Sequence, residues 1–165
     1  MIFNLKKEVH LRGLVFENIA KVLVRKNMNN NFVFMTKYFN SLDELVVKYC
    51  LNLSCFDVSL LNRINKQFHS IDLIGFELNN HEDRIVQDLL FYEVKTKSSS
   101  NSSRYDICAS SSEIYDFLKK NGFSIFLVSF VIFENWNYSF NIHKLNLNKL
   151  RVYSKYSQIV NIPSS

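Results

Sequence analysis

The chain has 165 residues, enough for one domain with a real hydrophobic core and short for two. It is 47% hydrophobic and 15% aromatic, which excludes a disordered or low-complexity protein, and no stretch reaches the roughly 18 apolar residues that span a bilayer. Twenty Lys and Arg against fifteen Asp and Glu leave a net charge of +5, which permits nucleic-acid binding without demanding it.

The N-terminal run Met1-Ile2-Phe3-Asn4-Leu5-Lys6-Lys7-Glu8 has no continuous apolar core and no small-residue cleavage site, so a soluble, cytoplasmic protein is expected. Residues 4–27 then read as one helix, with Asn4 as N-cap and apolar residues at Leu5, Val9, Phe16, Ile19 and Leu23. The aromatic stretch 32–39 is expected to be extended. Ser41-Leu42-Asp43-Glu44 matches a capping box and predicts a second helix over 42–51. Residues 54–68 fit two patterns, since Phe56, Val58 and Leu60 alternate like a strand while Leu60, Leu61 and Ile64 space like a helix.

Two strands, over 70–78 and 86–97, flank a polar turn and predict a β-hairpin. The Ser-rich segment 98–103 follows as a surface loop. Ser110 and Glu113 suggest another capping box, for a helix ending at Asn121-Gly122 with the glycine at C′. Strands over 123–134 and 138–145 come next, joined by Asn135-Trp136-Asn137, and then a basic, aromatic tail over 147–165. The order predicts one α/β domain over 1–165, a central mixed sheet flanked by helices, with 32–66 as an insertion. The cysteines Cys50, Cys55 and Cys108 form no CxxC and have no His at zinc-finger spacing, so buried free thiols are expected.

The sharpest chemical signal lies on the hairpin. By period-2 alternation Asp72 shares a face with Ile74 and Phe76, and Glu93 shares one with Leu89 and Phe91. Each carboxylate therefore ends an otherwise apolar face. Folding the hairpin about Glu82–Asp83 sets Phe76 against Leu89, Ile74 against Phe91 and Asp72 against Glu93, about 5 Å apart between Cβ atoms. A one-residue slip would turn a whole apolar set outward. Two carboxylates that close need a counter-charge or a shared proton. Lys95, two residues beyond Glu93 on the same face, is one candidate, and a hard divalent cation such as Mg²⁺ is the other. Such a site supports phosphodiester hydrolysis.

Ser70-Ile71-Asp72 and Glu93-Val94-Lys95 on adjacent strands resemble the PD-(D/E)XK nuclease superfamily, which includes restriction enzymes and archaeal Holliday-junction-resolvase-type nucleases. Ile71 stands where that family often has proline. The resemblance covers about 5–26 and 68–145 and implies a restriction-endonuclease-like fold. It implies that Asp72, Glu93 and the Val94 carbonyl hold Mg²⁺, with Mn²⁺ as a substitute, and that Lys95 orients water and stabilises the transition state. The family's N-terminal helix supplies a further acid, and here Glu17, on the stripe Gly13, Glu17, Ala20, Val24, is the match; it would hold a second metal or its water shell. A pairing of Glu17 with Lys21 on a solvated face is the alternative.

The implied activity is that of a Mg²⁺-dependent deoxyribonuclease, an endonuclease in preference to an exonuclease. The implied partners are DNA and, as in many relatives, a second copy in a homodimer, with no membrane. Lys97, Arg104, Lys119 and Lys120 flank the motif and are candidates for phosphate contacts. Two other classes remain open: a non-catalytic nucleic-acid-binding module on the same fold, and an unrelated α/β interaction protein in which the three residues do not converge.

Overall fold

The computed structural model describes residues 9–30, 32–80, 82–97, 104–133, 137–145, 150–154 and 157–161. Helix α1 (Val9–Asn27) leads into strand β1 (Val33–Met35) and a single 3-10 turn (Thr36–Tyr38). Helices α2 (Leu42–Lys48) and α3 (Val58–Lys66) follow, then a second 3-10 turn (Phe68–Ser70) and the hairpin of β2 (Leu73–Asn80) and β3 (Ile85–Lys97). After these come β4 (Arg104–Cys108), α4 (Ala109–Lys120), β5 (Ser124–Ile132), β6 (Tyr138–Lys144), β7 (Leu150–Ser154) and β8 (Ser157–Asn161).

The architecture is mixed α/β. A central sheet of five strands in the order β1-β2-β3-β5-β6 is flanked by helices, and β4, β8 and β7 form a smaller antiparallel sheet. Within the central sheet only β3 and β5 run parallel, and the chain between them passes through β4 and α4. A parallel pair requires such a crossover, and a helix lying on the sheet buries the face beneath it.

Both faces of β3 are covered. On one, Phe76, Leu89 and Phe91 pack with Ile114, Tyr115 and Leu118 of α4 and with Leu42, Leu45 and Ile64 of α2 and α3. On the other, Leu90, Tyr92 and Val94 pack with Phe16, Ala20 and Val24 of α1. The consequence is an unbroken buried run from Leu89 to Val94, in place of the alternation that a hairpin with one wet face would show.

Local chemistry accounts for most boundaries. Ser41 Oγ accepts from Glu44 N at 3.1 Å, while Glu44 Oε2 reaches Asn40 N and not the Ser41 amide, so half of the predicted box forms. Helix α2 stops at Lys48, short of the expected 51. The ambiguous stretch is helical because Asp57 caps α3, accepting from Ser59 N at 2.8 Å and Leu60 N at 3.2 Å. Of the expected extended segment 32–39, only Val33–Met35 is strand; the next three residues turn. The Ser110–Glu113 capping box does not form. Helix α4 starts at Ala109 with Cys108 as N-cap, and Glu113 pairs with Arg63 of α3 instead. At its other end Gly122, with φ 86°, closes a Schellman motif in which Gly122 N reaches Lys119 O at 3.0 Å and Phe123 N reaches Leu118 O at 3.1 Å.

Residues 32–66, expected as an insertion, supply the edge strand β1 and the helices α2 and α3. The three cysteines are unpaired, as expected, but exposed and not buried. Cys50 and Cys55 sit in turns and Cys108 at the start of α4. Asn4, the Ser-rich loop 98–103 and Trp136 lie outside the described residues. Among the described residues no helix is long and apolar enough to cross a membrane.

Candidate active site at the open end of the hairpin

The register of the hairpin sets the site. Ile74 lies opposite Phe91, Phe76 opposite Leu89 and Leu73 opposite Tyr92. The irregularities in pairing fall between Glu77 and Asn80, near the turn and away from the carboxylates. Asp72 is the residue just before β2, and its Oδ2 accepts from Val94 N at 2.7 Å. The backbone of Asp72 is held from the other side as well, since its carbonyl accepts from Thr36 N at 3.1 Å. The Thr36 hydroxyl also donates to the Ile71 carbonyl.

Glu93 is 1% exposed, yet both of its oxygens are engaged. Lys95 Nζ lies 2.6 Å from Oε1, and the Tyr115 hydroxyl donates to Oε2 at 2.5 Å. Tyr115 reaches the strand from α4, whose first turn is pinned where Ser111 Oγ donates to the Ser70 carbonyl at 2.8 Å. Glu93, the ammonium and the phenol therefore form one bonded network carried by β3 and α4, and Asp72, just before β2, reaches it through the Val94 backbone.

The electrostatics follow from this crowding. Burial pushes the Asp72 carboxyl up to about 8, with the Glu93 charge adding to the effect and Glu17 adding a little more. The Val94 amide and Lys95 pull the other way and lose. Burial alone would depress the Lys95 ammonium, but the charge and hydrogen bond of Glu93 outweigh it, and the net direction is upward. Burial and the Glu93 charge also hold the Tyr115 hydroxyl well above its usual range, so it stays a donor. For Cys108, burial would raise the thiol, while hydrogen bonds from Ser110 and Ser111 win and lower it.

Glu17 approaches from α1. It is partly exposed and forms an ion pair with Lys37, on the turn after β1, and not with Lys21. Lys97 ends β3 opposite Val131. Lys119 and Lys120 are exposed in the last turn of α4, about 12 Å further along the helix axis than Ser111. Arg104 opens β4, paired with Asn161 in the smaller sheet, and its side chain lies outside the described residues.

Sequence reasoning missed Tyr115, Thr36 and Lys37. Tyr115 had a faint signal, a hydroxyl on the apolar stripe of Ile114 and Leu118. The other two had none, because their partners are 20 or more residues away.

Among the described residues no three His, Cys, Asp or Glu side chains gather into a metal-binding group. The donor set suits a hard divalent cation that keeps waters and a substrate oxygen, which needs only one or two carboxylates. Asp72 Oδ1 has no hydrogen-bond partner among the described residues, and Lys95 is bonded to Glu93, so among the described residues no cation is bonded to the half-buried Asp72. A cation beside Asp72 would supply the missing charge, so the residues fit such an ion.

No protein-family model matches this chain, and no curated protein matches it. Among solved structures it is similar to Archaeoglobus fulgidus Hjc, a Holliday junction resolvase from an archaeal hyperthermophile. That likeness has a TM-score of 0.30 at 10% identity, covering 61% of this chain and 85% of the other. At those values it bears on no residue and no activity, and the site stands on its own geometry.

Proposed function

We propose that this protein is a Mg²⁺-dependent nuclease that hydrolyses phosphodiester bonds in DNA, with Mn²⁺ able to replace Mg²⁺ and internal cleavage preferred over end trimming. The observation that carries this reading is that Asp72, bonded to the Val94 amide, and the buried Glu93, bonded to Lys95, meet at the same end of the hairpin. Asp72, Glu93 and the Val94 carbonyl would hold the ion, and Glu17 its water shell or a second ion. When bound, the cation lowers the pKa of a water and offsets charge on the phosphate oxygens.

The chain's own residues supply the rest. Thr36 and Val94 fix Asp72 through its carbonyl and its carboxylate. Tyr115 holds one oxygen of Glu93, and the other, paired with Lys95, keeps a lone pair for the ion. Lys95, kept charged by Glu93, orients the attacking water and counters the charge that grows on the phosphate. Lys97 and Arg104 would meet the backbone of the bound strand, and Lys119 and Lys120 would contact it further out. A homodimer completes the proposal, with exposed Tyr138 and Phe140 on the edge strand β6 as the face for the second copy.

The test incubates wild type, Asp72→Ala and Lys95→Ala with labelled duplex, single-stranded, flap and four-way-junction DNA in Mg²⁺. Cleavage of at least one form by wild type alone is expected. Binding without cleavage in Mg²⁺ and in Mn²⁺ would replace the enzyme with a binding module. Equal cleavage by all three proteins would assign the activity to a contaminant.

A further inference from the structure

We propose that Lys37 is a further phosphate-binding residue of this site, held on Glu17 while the site is empty and passed to a phosphodiester when DNA enters. The inference rests on the nuclease reading and adds a residue that the hairpin motif does not contain.

Three observations lead to it. First, Lys37 is placed by the same contacts that place Asp72. The turn Thr36–Tyr38 is tied to Asp72 through Thr36 N and to Ile71 through the Thr36 hydroxyl, so the backbone that carries Lys37 is held beside Asp72. Second, its partner is the acid proposed above for the ion's water shell, since Lys37 pairs with Glu17 of α1. Third, the two lysines are similarly exposed, 26% for Lys95 and 33% for Lys37, and it is their partners that differ. Glu93 is 2% exposed and Glu17 is 20% exposed. A buried ion pair is costly to break, and a pair at the surface contributes little and exchanges partners readily. Lys37 is therefore the ammonium that can change partner.

Charge counting gives the exchange a purpose. Glu17, Asp72 and Glu93 as carboxylates outnumber Lys37 and Lys95 by one, and a divalent cation turns that deficit into a single positive charge. A phosphodiester monoanion then leaves the site neutral. With Lys37 removed, the cation-loaded site is already neutral, and the substrate brings an unbalanced negative charge into a partly buried place.

Two measurements on the 165-residue chain decide it. In Mg²⁺, Lys37→Met should raise KM for cleaved DNA by about tenfold or more, the loss expected for one charge-assisted hydrogen bond, with a smaller change in kcat. Lys37→Arg should recover most of that loss. Without metal, fluorescence anisotropy should show Glu17→Gln binding DNA several-fold more tightly than wild type, because Lys37 is released, and Glu17→Gln/Lys37→Met should lack the gain.

If wild type cleaves DNA and Lys37→Met keeps its KM, Lys37 is only a structural partner of Glu17 and the proposal falls, while the nuclease reading stands. A Glu17→Gln gain that survives in the double variant overturns it too. If Lys37→Met fails to fold, Lys37→Arg and the Glu17→Gln arm decide. A wild type that neither binds nor cleaves DNA sinks the nuclease reading, and Lys37 with it.

Discussion

Tyr115 and Tyr92 are both fully buried against β3, one on each of its faces, and only Tyr115 has a partner for its hydroxyl among the described residues. On the α4 face the phenol completes a network of Glu93, Lys95 and, through the Val94 amide, Asp72. On the α1 face Tyr92 serves as a flat hydrocarbon. Its ring stacks on Phe126 at 5.4 Å and covers Gly75, where an added Cβ would come within 3.2 Å of the ring edge. The same residue type, on neighbouring sides of one strand, is a hydrogen-bond donor in one place and a space-filler in the other. The Tyr115 hydroxyl meets a carboxylate, whereas the Tyr92 ring lies in the apolar cluster under α1.

The largest expected effect comes from cutting the network at its cation. Lys95→Met should abolish cleavage, a loss of about 10²-fold or more. Without metal it should also cost about 3–5 kcal/mol, because it strands a buried carboxylate. Chemical denaturation checks this, and Glu93→Gln/Lys95→Met should recover much of the loss.

Next is Asp72. Its folded pKa of about 8 lies above the ordinary 3.8, so the fold keeps a proton that the unfolded chain releases. The metal-free protein should therefore lose stability as pH rises from about 4 to about 8, by a few kcal/mol in all. Asp72→Asn should flatten that slope and raise the neutral-pH melting temperature. Mg²⁺ should stabilise wild type at pH near 8 and leave Asp72→Asn unmoved. A wild-type profile that rises over the same window would contradict the assignment of a crowded, uncompensated acid.

The two tyrosines give the direct contrast. Tyr115→Phe should cost about 1.5–3 kcal/mol, the worth of a hydrogen bond to a charged acceptor, and should slow turnover by freeing Glu93. Tyr92→Phe removes a hydroxyl with no partner and should change stability by less than about 0.5 kcal/mol or improve it. Equal costs at the two positions would erase the distinction between the faces.

Much of the scaffold was legible in advance where the pattern is local. The alternation of Ile74 and Phe76 with Leu89 and Phe91 leaves one register that buries both sets, and that register is present. Gly122 marks the end of α4 because an αL residue there costs a non-glycine side chain strain. Asp57 was a readable signal that was overlooked, a cap with its partners two and three residues away. The Ser110–Glu113 box illustrates the converse: α4 starts at Ala109, which puts Ser110 inside the helix, and Glu113 pairs with Arg63, 50 residues distant.

By itself, then, the sequence determined the hairpin, its register and the presence of two acids and a lysine on one face, because side-chain period and hydrophobic burial act between near neighbours. Only the tertiary structure decided that β3 is buried on both sides, that β1 closes the sheet edge beside Asp72, and that Tyr115 and Lys37 join the acids. Those contacts link residues 20 to 36 positions apart across separate layers, and no local periodicity records which layer will meet which.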